Sequence, residues 1–164
     1  MSSIVSNPYS FNISKNTGFS SSIQVILPND NQSLFSDSNN AIGGGQPAYI
    51  QKDIELKIPN EVNVIYIESD AEATSDDPDS HNNGNIFITN TENNKKWASE
   101  SDSVLLDNLA LYVCNYIGVT PGKIYKLKIN ILAAAELDPC RSNVSLDIYY
   151  SALINQKTPD ILDY

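Results

Sequence analysis

The chain has 164 residues, 41% of them apolar, and 20 Asp and Glu against 10 Lys and Arg give a formal net charge of −10. That length suits one domain with a real hydrophobic core, and no apolar run approaches the ~20 residues a membrane-spanning helix needs. The acidic balance argues against nucleic acid and anionic membranes as partners, because both require Lys and Arg to displace counterions.

Residues 1–20 are rich in Ser and Asn, with scattered apolar side chains at Ile4, Val5, Tyr9, Phe11, Ile13 and Phe19. They lack the basic head and apolar run of a signal peptide. Spaced anchors on a polar segment read as an arm that becomes ordered against its own domain or a neighbour. "SIQVIL", Ser22 to Leu27, is a short β-rich run. Residues 28–47, ending in Gly43, Gly44 and Gly45, read as a flexible polar loop with a glycine hinge. No strand–Gly–helix unit or closing Lys-Ser/Thr pair turns those glycines into a phosphate cradle.

From Ile50 the even positions are Ile50, Lys52, Ile54, Leu56 and Ile58, a half-buried strand with Lys52 as the exception on its inner face. "EVNVIYIE" leads into residues 69–85, an acidic loop holding Asp70, Glu72, Asp76, Asp77 and Asp79. An EF-hand starting at Asp79 would place Gly84 correctly at its sixth position. It would also put His81 at the third and Asn90 at the twelfth, where oxygen ligands are required. An irregular site drawing on Asp70, Asp76, Asp77 and Asp79 is the weak metal candidate. His81 is the single histidine and lies in the most polar stretch, with no third group predicted to hold it beside a nucleophile. No GxSxG elbow is present. No catalytic residue is assigned and no cofactor is implied.

Gly84 and its asparagines read as a tight turn, with Ile86 to Ile88 starting a core strand. "SVLLD", "LALYVCN", "KIYKLKINI" and "NVSLDIYYSAL" add further strands. Tyr125, Leu127, Ile129 and Ile131 point inward in the third; Val144, Leu146, Ile148 and Tyr150 do so in the fourth. "LAAAELD" is barely two helical turns long and meets Pro139. Cys114 and Cys140 form no CxxC pair and read as reduced, buried thiols. Trp97 and the nine tyrosines offer sugar-stacking surfaces, although tyrosines on alternating strands usually pack against neighbours.

About eight short strands with little helix predict an all-β protein: an antiparallel β-sandwich or jelly roll over residues 21–153. Residues 1–20 and 154–164 are its arms, the second anchored by Ile161, Leu162 and Tyr164.

The stretch from Val62 to Val113 places a strand, a polar excursion, then "NNGNIFI" and "LDNLALYV" in order. Carried by Ile86, Phe87, Ile88, Leu106, Asp107, Asn108, Leu109, Tyr112 and Val113, this order resembles small β-sandwich structural proteins of tailed bacteriophage virions, such as head-decoration proteins. It covers about a third of the chain, which departs from the pattern by an acidic insertion before Asn83 and by extensions at both ends. The resemblance implies a non-enzymatic component of the particle surface, made in the host cytoplasm. Its partners would be other capsid proteins and copies of itself, contacted through Phe11, Phe19, Ile161, Leu162 and Tyr164. A second reading of the same residues is a carbohydrate-binding adhesin or lectin, calcium-assisted through the acidic loop, with a host-surface glycan as partner.

Overall fold

The computed structural model describes residues 11–14, 20–23, 32–150 and 161–162. Phe11–Ser14 (β1) and Ser20–Ile23 (β2) pair as an antiparallel hairpin, with Phe11 opposite Ile23. Eight longer strands follow: Gln32–Ile42 (β3), Ala48–Lys57 (β4), Val64–Ser75 (β5), His81–Asn90 (β6), Lys96–Leu105 (β7), Leu109–Gly118 (β8), Ile124–Ala135 (β9) and Cys140–Tyr150 (β10). A two-residue strand, Ile161–Leu162 (β11), is the last. No helix occurs among the described residues.

The eight strands form two sheets, β8-β5-β10-β3 and β4-β9-β6-β7, with β11 added to the β8 edge of the first. Their pairing is nested: β3 with β10, β4 with β9, β5 with β8 and β6 with β7, all antiparallel. One long hairpin has thus been rolled up so that its halves close over a core, which is the jelly-roll arrangement. The fold is an all-β sandwich, as the alternation in the sequence predicts.

Burial explains why these segments become strands. In β9 the side chains of Tyr125, Leu127, Ile129, Ile131, Ala133 and Ala135 are buried in strict alternation with exposed or half-buried ones. β5 does the same through Ile65, Ile67, Ser69, Ala71 and Ala73, and β10 through Val144, Leu146 and Ile148. Trp97 packs on Tyr125 at 5.3 Å between ring centroids in the middle of this core. Each fully buried large apolar side chain contributes about 1.5–3 kcal/mol before ordering entropy is subtracted. "LAAAELD" follows the same logic: its alanines are the buried end of β9, and tertiary burial overrides their helix propensity.

Three expectations require correction. Residues 28–47 contain β3, an eleven-residue strand, where a flexible loop was expected. β3 is an edge strand with mostly exposed side chains, so it lacks the apolar alternation that betrays a strand. Gly43–Gly45 form a pinned corner, not a hinge: the amides of Gly43 and Gly45 donate to the carbonyls of Cys140 (3.2 Å) and Ala135 (2.9 Å), and Gly44 donates to Asp138. A Cβ on Gly44 would come within 2.5 Å of the Glu136 carbonyl oxygen, so only glycine fits where the chain crosses between sheets. Finally, the acidic loop at 69–85 shrinks to residues 76–80, because β5 extends through Ser75 and β6 begins at His81. Gly84 therefore lies inside β6 and makes no turn.

Candidate interaction surface

The two sheets present different outer faces. On the first, Tyr66, Glu68, Asp70 and Glu72 of β5 project outward between Tyr112, Cys114 and Tyr116 of β8 and Ser145, Asp147 and Tyr149 of β10. Glu68 is the hub. The Tyr112 hydroxyl donates to Oε2 at 2.7 Å and the Tyr149 hydroxyl to Oε1 at 2.9 Å. Tyr66 stacks beside both Tyr116 (4.7 Å) and Tyr149 (4.8 Å), and its hydroxyl meets the Cys114 sulfur.

Electrostatics keep these phenols protonated. The hydrogen bond to Glu68, then burial, pushes the Tyr112 pKa up. Burial and then the Glu68 bond do so for Tyr149, and burial followed by Cys114 for Tyr66 and Tyr116. They act as donors and as ring surfaces, not as bases. Asp70 is held above the ordinary carboxylate range by burial, with Glu68 and Asp147 adding like-charge repulsion and the Ser145 hydroxyl opposing it.

Between the exposed edges of the two sheets, β7 and β8 border a groove of about 440 Å³. Lys96, Ser99 and Glu100 line one wall, and Tyr112, Cys114 and Asn115 the other. Asn115 Nδ2 donates to the Trp97 carbonyl at 2.9 Å and ties the two edges together. The Trp97 indole N–H is buried and has no hydrogen-bond partner among the described residues. Among the described residues, β11 pairs with the β8 edge at Tyr116 and Ile117, in parallel orientation.

On the opposite side, β3 and β4 are the other two sheet edges. There Lys52 Nζ reaches Asp37 Oδ2 at 2.5 Å, above the Phe35 ring, and Asn39 Nδ2 donates to the Tyr49 carbonyl at 3.0 Å. Lys52, the exception in the alternating pattern, therefore has a use: it closes the open flank of the sandwich. The ammonium beside Asp37 holds that carboxyl below its usual range.

The four candidate metal ligands are not brought together. Asp70 lies on the outer face of β5 and bonds with Ser145, whereas Asp76, Asp77 and Asp79 sit in the turn beyond Ser75. There Asp77 Oδ1 caps the Asp79 amide at 2.9 Å, which is turn chemistry. Among the described residues no group of three or more His, Cys, Asp or Glu is placed to hold a metal. His81 is exposed at the start of β6. Trp97 is fully buried and offers no sugar platform. Cys140 is buried, but Cys114 is exposed, so the buried-thiol reading fails for the latter. Burial and the Asp138 carboxylate raise the Cys140 thiol pKa.

Phe19 and Tyr164, two arm anchors, lie outside the described residues, while Phe11 falls in β1 and Ile161 and Leu162 in β11. The Glu68 hub was not singled out from sequence. Its signal, a carboxylate flanked by tyrosines at matching outward positions, becomes visible only when β5, β8 and β10 are aligned.

No protein-family model matches this chain, and no curated protein matches it. Among solved structures, a chain in the structure of infectious bursal disease virus Gx strain aligns over 76% of this chain and 34% of its own length, with TM-score 0.35 and 6% identity. One in the Gt strain structure aligns over the same shares with TM-score 0.33 and 8% identity. This chain thus spans about a third of the length of those chains.

Proposed function

We propose that this chain is a non-enzymatic structural protein of a virus particle, held by protein–protein contacts through its terminal segments. The observation that carries the reading is the nested strand order, an eight-stranded jelly roll of the kind that builds viral capsid domains. Lectins and cupins share that architecture, so the site must discriminate. A cupin-like metal centre finds no support in a packed core of Ile, Leu, Trp and Ala side chains. The chain enters β3 and leaves β10 at the same end of the sandwich, since Tyr150 pairs with Gln32. The segments before β3 and after β10 therefore both depart from that end. The finer form of the reading is a decoration or auxiliary protein on the particle surface, as in tailed phages.

The test is light-scattering mass and electron microscopy of the full-length chain, purified with whatever it assembles with. Symmetric assemblies or particle-bound copies are expected. A chain that stays monomeric at every concentration, joins no particle and turns over a substrate would falsify the reading.

The outer-face hub favours a second reading, glycan binding, because rings and a carboxylate acceptor are what sugars use. Binding on a glycan array, lost in Tyr116→Ala and unchanged by EDTA, would select it.

A further inference from the structure

We propose that the outer faces of the two sheets are the two halves of one contact between copies, with β8-β5-β10-β3 of one chain packing against β4-β9-β6-β7 of the next. The inference rests on the reading above, a particle protein whose terminal segments leave at one end, and it names the surfaces that meet side by side.

Charge supplies the first argument. Among the described residues the outer face of the first sheet carries Glu68, Asp70, Glu72 and Asp147 against one cation, Arg141. Glu68 and Asp147 are direct cross-strand partners, and like charges so placed repel. The second sheet reverses the sign, in a chain whose net charge is −10. Its outward positions carry Lys57, Lys96, Lys126 and Lys128 against Asp53 and Glu55, which stand on β4 opposite Lys128 and Lys126. On β9, β6 and β7 no outward carboxylate offsets the lysines, since Glu100 and Asp102 stand opposite Ile86 and Gly84 on the inner side. An acid-rich face and a lysine-rich face on one chain complement each other across a contact. Two copies of the first face would set carboxylates on carboxylates, so the contact joins unlike faces.

Height along the sandwich supplies the second. β5 and β6 are joined by the turn at 76–80. Glu68 lies seven residues before Ser75, and Thr89, whose partners are Lys96 and Lys128, lies eight after His81. At ~3.3 Å per residue both rows stand roughly 23–26 Å from that turn. The carboxylate row and the lysine row are therefore level on opposite sides of the molecule. A second copy displaced sideways, without being turned over, lays Lys96 and Lys128 against Glu68 and Asp147. Lys126, the next outward position on β9, then meets Tyr66, Tyr116 and Tyr149, the next row in the same direction on the first face. Ring faces of that kind attract ammonium groups. Copies related in this way keep their terminal segments on the same side. Each retains one unlike face for a further neighbour, so the contacts close into a ring or continue as a row.

Sedimentation of the full-length chain over a concentration series reads this contact. Reversing one face by Glu72→Lys with Asp147→Lys, or the other by Lys96→Glu with Lys128→Glu, is expected to raise the concentration needed for association by about tenfold or more, since like charges then meet. An equal mixture of the two variants should recover most of the parent's association, because each reversed face now complements the other chain. A misfolded chain cannot be rescued by mixing, and Glu72→Lys alone, at an exposed position, replaces its pair if that pair does not fold. Association unchanged by either reversal, or folded variants that fail to recover on mixing, overturns the face contact. So does a parent chain that joins particles but never associates with itself, which leaves the particle reading standing. A chain that associates with nothing sinks both.

Discussion

Gly84 shows how much can depend on one missing side chain. It faces the core between Asn82 and Ile86, where a Cβ would meet Leu109 Cδ2 at 2.6 Å and the Leu132 carbonyl oxygen at 2.7 Å. The leucine tip can swing aside; the backbone oxygen of the neighbouring strand cannot. Gly84→Ala is therefore expected to cost about 1–3 kcal/mol by overpacking, measured as a lower urea midpoint with unchanged m-value. Asn82, which reads from sequence as part of a turn, is likewise internal. Its side chain accepts from the Ser80 hydroxyl at 2.9 Å and donates to the Asp107 carbonyl at 2.6 Å, joining the turns before β6 and before β8. A composition-based reading puts Asn and Gly in loops because that is their usual place. Nothing local reveals that here they serve a buried strand end, where polar groups are tolerated only because their hydrogen bonds are satisfied.

The strands differ in how plainly they can be read. β9 and β10 bury almost the whole of one face, and β4 does so apart from Lys52 and Ile54, so alternation alone marks them and most of their inward residues. β3 and β7 are edges, exposed over most of their length, and their Ser-, Asn- and Asp-rich sequences look like linkers. Edge strands carry this disguise because a long apolar edge would pair with other chains. The Asp37–Lys52 pair joins one such edge to its neighbour across the gap between sheets, with side chains 29% and 46% exposed. Solvent screening limits an exposed pair of this kind to about 0.2–1 kcal/mol. Because Lys52 lowers the folded-state pKa of Asp37, the contribution is present above the unfolded carboxylate value and disappears as pH falls through the folded one. A double-mutant cycle of Asp37→Asn and Lys52→Met should yield a coupling of about 0.5 kcal/mol at pH 7 that is lost in acid as Asp37 takes up its proton and shrinks in 1 M salt. Coupling that persists undiminished in acid would assign the flank's closure to Asn39 and packing instead.

At the scale of the whole molecule, charge follows the long axis of the sandwich. The turns at residues 76–80, 106–108 and 136–139 share one end, which carries Asp76, Asp77, Asp79, Asp107, Glu136 and Asp138. The opposite end, from which the terminal segments leave, carries Lys57, Lys95, Lys96 and Lys123 against Glu61 and Glu92. A net charge alone, as read from composition, hides this division; the strand path creates it by returning every second turn to the same end. If the termini fasten the chain to a particle, the acidic end points away from it, where like charge among repeated copies discourages further aggregation. Labelling can decide the orientation. In a Cys114→Ser background, Asp79→Cys at the acidic end should react with a bulky maleimide on intact assemblies as fast as on the free chain. Glu92→Cys, in the turn between β6 and β7 at the lysine-bearing end, should be protected by at least tenfold. Equal reactivity at both positions would mean that the arms do not draw this end against a neighbour, and the reversed pattern would place the acidic turns at the contact.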